Sequence, residues 1–303
     1  MWPVLDYHVH LWPHPEVADP AEQRIERLAR FCEAAAAQGV EEVALTEHLF
    51  RFRAGRAVVD RFWADEPDPA LRGRIAAYFD HHATADLDAY VEAALGARAA
   101  GLPVVVGLEV DYYPGRMDAV ARLLEGYPFD VLLGSVHWLG TWMFDDVEDP
   151  LAMAEWDRRG TEVAWRSYTE ALEELAGTKT VDVLAHPDLV KVAGRRPSPG
   201  LLDECHDRMA EAAARSGLAA ELSSAGLTKP AAEAYPAVGL LERFHARGVP
   251  LTTASDAHGP GRVGDRADDL RRMAEGAGYT ALRAFRRREG HDVALAPAGL
   301  ARP

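Results

Sequence analysis

The segment LDYHVH (residues 5–10) alternates in the way of a strand with two distinct faces. A period of two puts His8 and His10 on one face, where they either pack into a core or begin a metal site. One HxH pair is weak, so the reading depends on whether other strands end in the same chemistry. Six further runs have strand character: EVALTEH (42–48), PVVVGLEVD (103–111), FDVLLGSVH (129–137), VDVLAHP (181–187), LAAELSS (218–224) and VPLTTASDAH (249–258). Helical spacing lies between them, near 20–38, 85–100, 116–125, 150–176, 200–216, 231–247 and 264–277, with Gly39, Gly101, Gly217 and Gly248 as stop signals. Seven βα units imply an α/β fold with a parallel sheet closed into a TIM-like barrel.

Every strand run ends in ligand-type side chains. The first ends in His8 and His10, the second in Glu47 and His48, the third in Glu109 and Asp111, the fourth in His137, the fifth in His186, the sixth in Glu221, and the seventh in Asp256 and His258. Six of the twelve histidines therefore sit at strand C-termini, the face on which barrels of this kind carry their chemistry. Histidines that merely filled space would be scattered among helices and strand middles. Imidazoles and carboxylates without paired thiolates suit Zn, Fe or Mn, and so many ligands point to two or three divalent ions.

One domain is expected over residues 1–303, with insertions after strand ends at about 49–84 and 138–165. In the first insertion, His81 and His82 are read as solvent-facing loop residues, and the final stretch as a peripheral strand or tail. A formal net charge of −15 disfavours nucleic acid and anionic membranes as partners. Cys32 and Cys205 are far apart and lack CxxC spacing, which suits a reducing compartment. Residues 1–3 lead straight into a strand without a basic or apolar leader, and no run reaches about 18 apolar residues, so a cytoplasmic protein is expected.

The motifs DYHVH, LTEH, GLEVDY, LGSVHWLG, AHPDLVK, ELSSAGLTKPAAEAYP and SDAH occur in that order over residues 6–258. In this the chain resembles the polymerase-and-histidinol-phosphatase (PHP) superfamily, and within it the monofunctional histidinol-phosphatase branch. The resemblance implies a distorted (β/α)7 barrel with a trinuclear centre. It assigns His8, His10, Glu109 and Asp256 to one metal and His137 and His186 to a second bridged by Glu109. His48 and His258 would bind a third. The family's remaining histidine follows HxH by about six residues, whereas His14 follows His10 by four. Either His14 still reaches the third ion, or it is a surface residue and the centre is smaller.

The implied enzyme is a phosphoric monoester hydrolase that converts L-histidinol phosphate to L-histidinol and phosphate by metal-activated hydroxide attack. Asp256, His258 and Glu109 are the catalytic candidates. Lys191, Lys229, Arg262 and Arg51 are cationic candidates for the phosphate. The cationic, aromatic substrate would be met by Trp142 and Asp145, with Asp111, Asp146 and Trp138 nearby; the tryptophans equally suit core anchors and the aspartates a solvated turn, and Glu221 is either a substrate carboxylate or a support behind the metal ligands. Alternatives are a PHP-type phosphoesterase for another small ester, such as a sugar, nucleotide or specialised metabolite, and an amidohydrolase-type metal hydrolase. The latter would want a mid-chain bridging lysine where this chain has Glu109. The expected partner is a small phosphorylated substrate, and the expected assembly a monomer or homodimer.

Overall fold

A computed structural model describes residues 4–13 and 25–295. Seven parallel strands pair in chain order: β1 (Val4–Val9), β2 (Val40–Leu45), β3 (Val104–Asp111), β4 (Val131–Ser135), β5 (Val183–Leu184), β6 (Ala219–Ser223) and β7 (Leu251–Ala254). The central strands β3 and β4 read as largely apolar runs because helices cover the sheet, and all eight residues of β3 are buried. Gly107 lets β3 approach its neighbours: a Cβ there would come within 2.9 Å of both Thr46 and Val131 side chains.

The sheet curls until its edges meet, giving a nearly closed barrel. Asp6 on β1 accepts from the Ser255 backbone N–H at 2.8 Å and its hydroxyl at 2.6 Å, and Thr253 donates to the Leu5 carbonyl at 2.7 Å. His10 N–H donates to the Ala257 carbonyl at 2.8 Å. The first and last metal-ligand candidates are thereby joined at the seam.

Helices α1 (Ile25–Ala37), α4 (Leu87–Ala99), α5 (Met117–Leu124), α8 (Pro199–Ser216), α9 (Val238–Ala246) and α10 (Ala267–Gly276) match expected helical segments. At its end α8 uses Gly217 at φ 71°, a left-handed position that glycine takes without a Cβ penalty. The expected helix at 150–176 is two: α6 (Pro150–Arg159) and α7 (Thr161–Gly177) break at Gly160, φ 84°. That at 231–247 starts only at Val238, because Tyr235 bridges Ser223 at the end of β6 instead, with Pro236 following it. Within the 49–84 insertion, α2 (Arg53–Val59) and α3 (Pro69–His82) form, the latter capped by Asp68 with proline in its first turn. His82 corrects the solvent-facing expectation: it ends α3 buried against Tyr78, with ring centres 4.4 Å apart, whereas His81 is exposed.

The described residues end in an antiparallel hairpin, β8 (Ala281–Arg286) and β9 (Glu289–Ala294), tied to the barrel where Phe285 N–H donates to the Tyr7 hydroxyl at 3.0 Å. One contiguous apolar core runs from Leu5 to Phe285. Among the described residues no helix is long and apolar enough to cross a membrane.

Candidate metal centre

The C-terminal ends of six strands deliver their ligand-type side chains to one place, and Glu109 is at its middle. Its Oε2 lies 3.3 Å from His8 Nε2, 3.5 Å from His10 Nε2 and 2.6 Å from His48 Nδ1. Its Oε1 lies 3.1 Å from His186 Nε2 and 3.5 Å from His137 Nε2. Each carboxylate oxygen therefore faces its own set of histidines. Asp256 Oδ1 completes the far side, 3.4 Å from His10 Nε2 and 3.6 Å from His258 Nδ1. His8, His10, Glu109 and His186 are buried, while the Asp256 and His258 side chains keep about a fifth to a quarter of their surface exposed, so the centre opens on their side. His186 and Asp256 hold left-handed backbone at φ 28° and 54°, a strained conformation that clusters at functional sites.

A second layer of carboxylates fixes the rings. Glu221 meets His8 Nδ1 at 2.8 Å, Asp111 meets His137 Nδ1 at 2.5 Å, and Glu47 lies 3.4 Å from His10 Nδ1. With these nitrogens engaged, the Nε2 atoms face inward. Glu47 is itself held by the fully buried Arg51 at 3.1 Å and accepts the Leu11 and His48 backbone N–H groups at 3.0 Å.

The cluster is built for positive charge. Burial opposes charge on His8, but Glu221, Glu109 and Asp256 outweigh it and raise its pKa well above the ordinary value. Burial likewise opposes charge on His137, yet Glu109 and Asp111 bring it up to about 10. Burial pushes the Glu109 carboxyl up, while His48, His8 and His137 hold it well below the ordinary value. Among the described residues, four overlapping triads have ligand atoms within 4.8 Å of one another: His10, His48 and His258; His8, His10 and Asp256; His8, Glu109 and His186; His48, Asp111 and His137. His8 Nε2, His10 Nε2 and Glu109 Oε2 are buried yet make no well-formed hydrogen bond. Buried polar atoms left so are costly, and this all-N/O donor set fits divalent cations of the zinc, iron and manganese type.

Elsewhere the structure redirects several expectations. Lys191, fully buried, is enclosed by Asp188 at 2.8 Å, Glu233 at 3.3 Å and the Ala234 carbonyl at 2.7 Å, which leaves no free charge for a phosphate. Arg51 is engaged with Glu47 and donates to the Trp12 carbonyl at 3.3 Å. Lys229 is exposed, and the half-exposed Arg262 pairs with Asp265 at 2.9 Å. Trp142 is a core anchor, wholly buried against Trp156 with its indole N–H on the Ala152 carbonyl at 3.0 Å. Asp146 pairs with Arg74 at 3.0 Å. Asp145 stays beside the centre: burial pushes its carboxyl up to about 6 against the pull of His137 and His186. Glu221 supports His8 from behind, so it stands away from the open side. His14 lies outside the described residues. Sequence reading counted Glu47 and Asp111 among the strand-end ligand types without assigning them to support His10 and His137; the signal for Asp111 was the face it shares with Glu109 two residues earlier on β3.

Comparison with known proteins agrees with this architecture. Residues 6–225 match the PHP domain family. A Deinococcus radiodurans protein named "Probable histidinol-phosphatase" is 37% identical over 193 residues, 63% of this chain and 71% of that one. The fold superposes on histidinol phosphate phosphatase from Lactococcus lactis subsp. lactis Il1403, a structure in complex with zinc, L-histidinol and phosphate, with a TM-score of 0.68. That match has 19% identity and covers 96% of this chain and 100% of that one, so the likeness speaks to the fold. A Listeria monocytogenes chain gives the same TM-score over 87% of this chain and 98% of its own. With most of its length matched by the family and its strand-end ligands gathered on one face of the barrel, this chain belongs to the PHP domain family.

Proposed function

We propose that this chain is a metal-dependent phosphomonoester hydrolase whose substrate is L-histidinol phosphate. The observation that carries the reading is the division of the Glu109 carboxylate between two sets of histidines, His8, His10 and His48 on one oxygen and His137 and His186 on the other. In the proposal His8, His10, Glu109, Asp256, His137, His186, His48 and His258 hold two or three divalent ions. Bound ions of this type supply Lewis acidity toward phosphoryl oxygens and lower the pKa of water.

The protein's own share of the work is orientation. Glu221, Asp111 and Glu47 fix the rings of His8, His137 and His10, so the site needs little reorganisation when substrate arrives. Asp256 and His258, at the open side, are the groups positioned to orient the attacking water and serve the departing alkoxide. Hydrolysis breaks the bond between phosphorus and the alcohol oxygen, and the alcohol leaves with a proton. Asp145, beside His137 and His186 with no ion pair among the described residues, supplies a carboxylate for the substrate ammonium. The histidinol-phosphatase name of the Deinococcus radiodurans relative supports this choice of ester. Both described cysteines are free and buried, which accords with a cytoplasmic setting.

The test is phosphate release from a panel of phosphomonoesters by protein whose metal has been counted. Histidinol phosphate should dominate kcat/KM by orders of magnitude. Broad, weak turnover would retain the hydrolase and discard this substrate, and no turnover with full metal would discard the hydrolase.

A further inference from the structure

With Lys191 enclosed, the phosphoryl group needs another donor, and the structure offers an uncommitted one next to it. Tyr235 is 1% exposed, and its hydroxyl is buried without a hydrogen bond to any described residue. Its ring is held from several directions. It meets the His186 ring edge-on, with centres 6.3 Å apart and planes at 72°. Lys191 Nζ lies 5.3 Å from its centre. Its backbone N–H donates to the Ser223 carbonyl at 3.0 Å and its carbonyl accepts from Ser223 N–H at 2.6 Å, which pins the residue to the end of β6. Burial first, and then the Asp188, Asp256 and Asp145 carboxylates, push the phenol up, so the hydroxyl keeps its proton.

An orphaned buried hydroxyl is costly, and phenylalanine would pack as well without it. The surroundings explain why a phenol rather than a cation would serve. Among so many carboxylates a lysine is captured, as Lys191 is by Asp188 and Glu233, whereas a neutral O–H keeps its donor for an incoming anion.

We infer that the Tyr235 hydroxyl donates a hydrogen bond to the phosphoryl group of the substrate. The inference rests on the phosphomonoesterase reading above, and its test separates the two. Wild type and Tyr235→Phe are loaded with the same metal, the metal is counted, and inorganic phosphate binding is measured by calorimetry alongside turnover of histidinol phosphate. Tyr235→Phe should keep its metal content and melting temperature but bind phosphate about ten- to a hundredfold more weakly, the scale of one hydrogen bond to a charged group. Its kcat/KM should fall with it. If wild type binds phosphate, the variant binds it less well and neither hydrolyses any ester, the donor stands and the hydrolase reading fails. Equal phosphate affinity in the two proteins, or no phosphate binding by loaded wild type, would overturn the inference. So would a variant that loses metal or melts early, since the ring would then be acting as a structural support of His186.

Discussion

Nδ1 of His8 lies 2.8 Å from Oε2 of Glu221, and both side chains are wholly shielded from solvent. This contact turns the opposite nitrogen of the ring toward Glu109 and holds it there. Glu221→Gln should keep the fold and weaken metal affinity about ten- to a hundredfold, the range for carboxylates that orient metal-binding histidines. Competition with a chelator measures it. Unaltered affinity would mean that His8 is oriented by packing alone.

Glu109→Gln should remove metal and activity together. The substitution leaves the volume but takes away the charge that five histidines face. Elemental analysis of the purified variant decides it, and full metal content with wild-type turnover would defeat the shared-carboxylate assignment.

Metal loading should release protons, and apparent affinity should fall as pH falls. The sign follows from His8 and His137, whose metal-free pKa values are raised, that of His137 to about 10. Near pH 7 these rings carry protons that the ions must displace, so acid favours the metal-free form and the competition eases as pH rises toward about 10. Calorimetric titrations in buffers of different ionisation enthalpy count the protons, and a count of zero near pH 7 would contradict it.

Trp142→Ala should cost stability more than it alters substrate choice. The indole is wholly buried against Trp156, and truncating a core aromatic costs about 3–5 kcal/mol. Denaturant unfolding gives the loss, while Trp142→Phe should leave the ranking of substrates unchanged. A changed ranking with little loss of stability would return Trp142 to the substrate pocket.

Arg51→Met should destabilise the protein by about 3–5 kcal/mol by leaving the buried Glu47 charge without its partner. Chemical denaturation at fixed metal loading tests it. If instead stability held and only phosphate affinity fell, Arg51 would be a substrate residue after all.

The sequence by itself determined the barrel and the chemical character of its upper face. A strand run such as PVVVGLEVD is apolar up to Glu109 because a parallel sheet is covered by helices, and a period of two places His8 with His10 and Glu109 with Asp111 before any fold is known. It misjudged elements where a local break outweighed helical spacing: Gly160 divides α6 from α7, and the pairing of Tyr235 with Ser223 delays α9. Only tertiary structure decided what each charged side chain does. Lys191 and Arg51 are phosphate candidates in the sequence although Asp188 and Glu47 stand three and four residues before them, because whether such a pair closes in a buried place, and whether a distant residue such as Glu233 completes it, depends on the fold; Trp142 suits a pocket wall and a core anchor equally because residue type says nothing about which side of an insertion faces the core. Periodicity is a local property and survives in the sequence, whereas charge compensation and burial depend on three-dimensional neighbours and do not.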